Sequence, residues 1–112
     1  MAGDVAVTMT DAMRFEPGAL TVKAGEPITF VVENAGDIVH EFFVGSEAEE
    51  VDHAAEMAVG GMSHGHDNAL SVAPGMTGSL TMTFAKGGSL LVGCHEPGHY
   101  EAGMKGALTV LD

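Results

Sequence analysis

Short runs in which apolar and polar residues alternate are the main regularity along this chain. Val5-Ala6-Val7-Thr8-Met9 opens the first, and Leu20-Thr21-Val22 follows. Ile28-Thr29-Phe30-Val31-Val32-Glu33, Val39-His40-Glu41-Phe42-Phe43-Val44 and Leu70-Ser71-Val72 come next. Ser79-Leu80-Thr81-Met82-Thr83-Phe84 alternates cleanly, with Leu80, Met82 and Phe84 on one face. Ser89-Leu90-Leu91-Val92 and Ala107-Leu108-Thr109-Val110-Leu111 complete the set. A period of two places successive side chains on opposite faces of a strand. Turn formers separate the runs: Phe15-Glu16-Pro17-Gly18, Lys23-Ala24-Gly25-Glu26-Pro27, Asn34-Ala35-Gly36-Asp37, Pro74-Gly75 and Lys86-Gly87-Gly88. Such spacing predicts an all-β chain folded as an antiparallel sandwich or barrel.

Residues 45–69 break this rhythm. Ser46 before Glu47-Ala48-Glu49-Glu50 reads as an N-cap followed by acids in a first helical turn. The pattern predicts a short helix to about Ala58, stopped by Gly60-Gly61. Met62-Ser63-His64-Gly65-His66-Asp67-Asn68 then forms a loop dense in metal-ligand types. The expected organisation is a single domain over 1–112 with this insert at about 45–69.

Composition narrows the function. With 112 residues and 46% apolar content, the chain can build one core. Its formal charge of -12 repels a phosphate backbone and an anionic membrane surface, so no nucleic-acid partner is expected. No stretch is apolar and long enough to insert in a membrane. Met1-Ala2-Gly3-Asp4 lacks the basic and apolar regions of a signal peptide, which fits either a cytosolic protein or an exported one in mature form. One Cys excludes an internal disulfide. There is no phosphate loop, no paired acids for proton transfer, and no nucleophile with a companion base, so an enzyme is not expected. What stands out is eight Met and six His beside that single Cys.

The placement of those residues is informative. Cys94-His95-Glu96-Pro97-Gly98-His99-Tyr100-Glu101-Ala102-Gly103-Met104 sets a thiol, an imidazole and a thioether at Cys-x4-His-x4-Met, in a loop between two strand-like runs. Thiolate and thioether suit Cu(I), and imidazole accepts both oxidation states. His40, in a strand-like run, supplies a fourth donor. Two His, one Cys and a weak axial Met make the blue-copper set, and a poor zinc set. Pro97-Gly98 sets the turn before His99, and Gly103 is expected to allow a close approach of the chain before Met104. His53, Met57, Met62, His64 and His66 form a surplus in the insert that is either a second, weaker copper site or ordinary packing and turn residues. Met9 reads as core, and Met13 as a neighbour of the copper pocket. Glu47, Glu49, Glu50, Asp52 and Glu56 read as a solvated helix face.

On these residues the chain resembles the cupredoxins, the plastocyanin, azurin, auracyanin and rusticyanin kind. The likeness also takes in Phe15-Glu16-Pro17, Val22-Lys23-Ala24-Gly25-Glu26, and Asn34 before His40. Four residues between His99 and Met104 give a ligand loop of the rusticyanin and auracyanin sort. His40-Glu41-Phe42, the Met/His insert and the ending Pro97-Gly98-His99-Tyr100-Glu101-Ala102-Gly103-Met104-Lys105-Gly106 look most like small periplasmic cupredoxins of bacterial copper tolerance. The resemblance implies a Greek-key β-sandwich of seven or eight strands with one type 1 copper held by His40, Cys94, His99 and Met104. It implies one-electron transfer, a periplasmic location, and transient docking of a monomer to a redox or copper-handling protein. Glu41 stands where plastocyanin and azurin carry Asn, and its backbone amide is expected to hold the Cys sulfur. His95 stands where Thr or Ser is common, and three roles are open to it: tuning the site, facing a partner or solvent, or binding a second metal. Pro97 completes the residues expected to support the ligands.

Overall fold

A computed structural model describes residues 3–50, 68–96, 99–100 and 102–112. The strands are β1 (Gly3–Thr10), β2 (Arg14–Glu16), β3 (Ala19–Lys23), β4 (Pro27–Asn34), β5 (His40–Gly45), β6 (Ala69–Val72), β7 (Thr77–Thr83), β8 (Gly88–Gly93) and β9 (Lys105–Leu111). They form two sheets, one in the order β2-β1-β4-β7 and the other β3-β9-β8-β5-β6. The result is an all-β sandwich of cupredoxin type, and the predicted strands fall where the alternation puts them.

Three details differ from the sequence expectation. The described residues hold nine strands, because Arg14–Glu16, within a segment expected to turn, pairs back onto β1 through Met9 opposite Phe15. Two pairings are parallel: β1 with β4, and β3 with β9. The chain switches sheets at β2–β3 and again at β3–β4, so β4 returns beside β1 in the same direction. β5, moreover, is buried along its whole length. Phe42 and Val44 on one face join the core, and Phe43 on the other packs against His95.

Alternation builds the core. Val7 and Met9 of β1, Ile28, Phe30 and Val32 of β4, and Leu108 and Val110 of β9 turn inward. The Phe42 ring lies 5.2 Å from that of Phe30 and 5.8 Å from that of Phe15, joining the two sheets. Each such ring contributes about 1.5–3 kcal/mol by burial. Met9 is core, as expected, and Met13 is half-buried against it with φ of 60°. The insert opens with a reciprocal cap: Ser46 N–H donates to Glu49 Oε1, and Glu49 N–H to Ser46 Oγ. Residues 47–50 are helical; the predicted continuation to Ala58 lies outside the described residues.

Strand register brings three chain ends together. Phe43 pairs with Gly93, and Gly93 with Lys105. The start of β5, the residue after β8 and the residue before β9 therefore meet at one end of the second sheet. Asn34, fully buried, anchors the loop leading there. Its Nδ2 donates to Ile38 O at 2.8 Å and Val72 O at 2.9 Å, and its Oδ1 accepts the Gly36 amide at 2.9 Å. Asn34→Ala strips three partners at once, so it is expected to cost about 2–4 kcal/mol. A lower urea midpoint with unchanged slope would show this.

Candidate metal centre

His40 opens β5, Cys94 follows β8 and Met104 precedes β9. All three are completely buried. The Cys94 amide donates to Met104 O at 3.1 Å, which closes the neck of the loop between them. Within that loop His99 N–H donates to Glu96 O, and both the Ala102 and Met104 amides donate to His99 O. His99 is thereby turned back over Cys94. Gly103 has φ of 101°, and nothing lies within 4 Å of where its Cβ would be. The glycine is thus needed for left-handed backbone and not, as the sequence suggested, for close approach.

Three donors converge. Cys94 Sγ stands 3.3 Å from His99 Nδ1 and 3.8 Å from His40 Nδ1. These ligand atoms all lie within 4.8 Å of one another, the only such cluster among the described residues. Donors bound to one first-row ion at about 2.0–2.3 Å and spread round it in a plane stand roughly 3.5–4 Å apart. The observed separations are close to that. The thiol, two imidazoles and the buried Met104 beside them suit copper in either oxidation state. The donor set therefore fits a mononuclear type 1 copper site.

Polar partners hold the donors in place. The Glu41 amide donates to Cys94 Sγ at 3.2 Å, the role expected of it. His40 Nε2 lies 2.9 Å from Asp11 Oδ1, and the Asp37 amide donates to Asp11 Oδ2 at 2.8 Å. That amide and His40 hold the Asp11 carboxyl below its usual range. Burial pushes the Cys94 thiol up to about 11, against the opposing pull of the Glu41 amide. At neutral pH the metal-free thiol keeps its proton, so a bound metal must displace it.

One residue narrows the sequence reading and a second corrects it. His95 is buried, not solvent-facing: Nε2 lies 2.8 Å from Glu50 Oε1, and its ring stacks on Tyr100 at 4.5 Å and meets Phe43 edge-on at 5.3 Å. Glu50 is buried with it, whereas its neighbours Glu47 and Glu49 are exposed as a solvated face should be. The helical turn simply points its fourth residue at the sheet. Asp11 and Glu50 were the functional neighbours that sequence reasoning missed; no local motif marks either. Pro97, and the surplus His53, Met57, Met62, His64 and His66, lie outside the described residues.

Burial, then the nearby Glu41 and Glu49 charges, push the Glu50 carboxyl up to about 9. Between its ordinary 4.5 and that value the folded chain holds a proton that the unfolded chain releases. Stability contributed by this group is complete below that window and is lost as pH rises through it. The slope from this one group is about 1.4 kcal/mol per pH unit. In urea unfolding from pH 5 to pH 8, the parent should lose stability as pH rises, and Glu50→Gln should flatten that decline.

The sequence matches the family described as copper binding proteins, plastocyanin/azurin family, over residues 2–111. It is 45% identical over 107 residues to the copper-resistant cuproprotein CopI of Rubrivivax gelatinosus, covering 95% of this chain and 65% of that protein. It is 38% identical to the protein of the same description from Pseudomonas aeruginosa, covering 88% of this chain and 71% of the other. The chain thus spans about two thirds of the length of these relatives. In fold it superposes on reduced auracyanin from Roseiflexus castenholzii with a TM-score of 0.87, at 22% identity, covering 97% of each chain.

Proposed function

This chain belongs to the plastocyanin/azurin family of copper binding proteins, and within that family we propose that it is a periplasmic one-electron carrier serving copper tolerance. The observation that carries the reading is the convergence of Cys94 Sγ with His40 Nδ1 and His99 Nδ1 under the Glu41 amide. Similarity to copper-resistant cuproproteins supports the link to tolerance. The copper, when bound, supplies a couple that gains and loses one electron.

We assign His40, Cys94 and His99 as the residues that would hold it, with Met104 as a weaker fourth donor. The Glu41 amide steadies the sulfur, and the buried surround keeps water from the donors. Four protein donors leave no position for a substrate, so the role is that of a carrier and not an enzyme. His99, half-buried, is the member of the trio that nears the surface, the natural edge for a passing electron. We take residues 1–112 as one domain, with the insert at about 45–69. We read the protein as an exported monomer docking briefly to a redox or copper-handling partner. No described helix is long and apolar enough to cross a membrane.

Loading with Cu(II) is expected to produce an intense visible thiolate-to-copper band. Cys94→Ser should abolish it; a band that survives overturns the assignment.

The insert supports a second reading, copper sequestration or delivery. His53, Met57, Met62, His64 and His66 fall within fourteen positions, 53 to 66, and supply the donor types that Cu(I) accepts. Copper stoichiometry decides it: more than one Cu(I) per parent chain, falling in the His64→Ala/His66→Ala variant, supports the second site. One copper in both removes it.

A further inference from the structure

Asp11 lies in the β1–β2 turn, on the first sheet, while His40 begins a strand of the second. The two are 29 positions apart, yet Asp11 Oδ1 comes within 2.9 Å of His40 Nε2. Its other oxygen accepts the Asp37 amide, in the loop that leads to His40. One carboxylate therefore grips both the ring and its approach. The surrounding chain makes room for this. A Cβ on Gly36 would overlap the Asp11 carboxylate, so only glycine lets the loop close over it. The Ala35 amide donates to Met9 O at 2.9 Å, pinning the same loop to the end of β1. The Met13 amide donates to Thr10 O and tightens the turn that presents Asp11.

The chemistry follows from which nitrogen faces which partner. His40 Nδ1 faces Cys94 Sγ and Nε2 faces a carboxylate. A carboxylate accepts hydrogen bonds, so the ring proton belongs on Nε2 and the Nδ1 lone pair is left for the metal. A charged acceptor on the far nitrogen also makes the imidazole a stronger donor. A stronger donor favours the more highly charged Cu(II) state.

We propose that Asp11 is a positioning residue that fixes the tautomer and orientation of His40 and biases the centre toward Cu(II). The bias toward Cu(II) rests on the copper reading above; the tautomer does not, and is tested without metal. In metal-free protein, NMR of the His40 ring should show a slowly exchanging Nε2 proton. Asp11→Ala should speed that exchange at least tenfold and mix the two tautomers. In copper-loaded protein, Asp11→Asn keeps a neutral acceptor but removes the charge. It should shift the Cu(II):Cu(I) preference toward Cu(I) by about tenfold, a rise of about 59 mV for one electron. Asp37→Asn makes the same charge change without touching the ring and serves as the control. The proposal is overturned if Asp11→Ala leaves the Nε2 proton as in the parent, or if Asp11→Asn raises the potential no more than Asp37→Asn does. A parent that binds no copper refutes the reading of the site instead, and the Nε2 proton then decides the role of Asp11 alone.

Discussion

A thiol with no exposed surface cannot ionise without a cation beside it, and the protein end around Cys94 is arranged to meet that condition. Burial, helped by the nearby Glu41 and Glu96 charges, holds the sulfur protonated. The Glu41 amide offers it a hydrogen bond at 3.2 Å, the Glu96 backbone also favours its charged form, and two imidazole nitrogens face it. These are groups that favour or tolerate a thiolate once a metal has taken the proton. The strand register makes the arrangement possible. Cys94 is the first residue past β8, flanked by the start of β5 and the entry to β9. Moving any of the three by one residue would turn a ligand to the other face of the sheet.

That same alternation gives the neighbouring position a different life. Cys94 joins the core, and His95 goes into a second cluster with Glu50, Tyr100 and Phe43. The Lys105 ammonium lies over the Tyr100 ring at 4.8 Å, so β9 joins in as well. This cluster covers Phe43, on the face of β5 turned away from the core, in a sheet whose outer face would ordinarily be wet. It also costs something. Glu50 Oε2 is buried with no hydrogen-bond partner among the described residues, and a carboxyl in that position lowers its cost by remaining protonated. Two ionisable groups on opposite faces of one strand end are thus both held neutral by burial in the metal-free chain.

Much of this could be read from the chain, and the limit falls at a definite place. Period-two runs locate most of the strands because burial on one face imposes the pattern directly. Cys94, His99 and Met104 are legible because one loop carries all three at a fixed spacing, and His40 because an imidazole in an apolar strand needs a reason. Asp11 and the inward turn of Glu50 are not legible in this way. Their partners lie 29 and 45 positions off, and each is one acid in a chain with sixteen. Only the packed sheets distinguish a carboxylate that grips an imidazole from one that faces water. β2 escaped for a related reason: three residues with turn formers after them carry too little pattern, and pairing with β1 decides.

The division of labour between the sheets has a consequence for how the centre holds its shape. The second sheet supplies the starts and ends of strands that carry the ligands. The first supplies the groups that orient them: Asp11 from the β1–β2 turn and Asn34 from the end of β4. The His40 approach is tied by both, through Asp37 to Asp11 and through Ile38 and Gly36 to Asn34. Ligand geometry is therefore coupled to the packing between the sheets, which rests on Phe15, Phe30 and Phe42. A centre acting as the proposed carrier, accepting two oxidation states with little rearrangement, would gain from this, because its donors cannot relax separately without disturbing the core. The rigidity that favours electron transfer and the stability of the sandwich are, at His40, the same set of contacts.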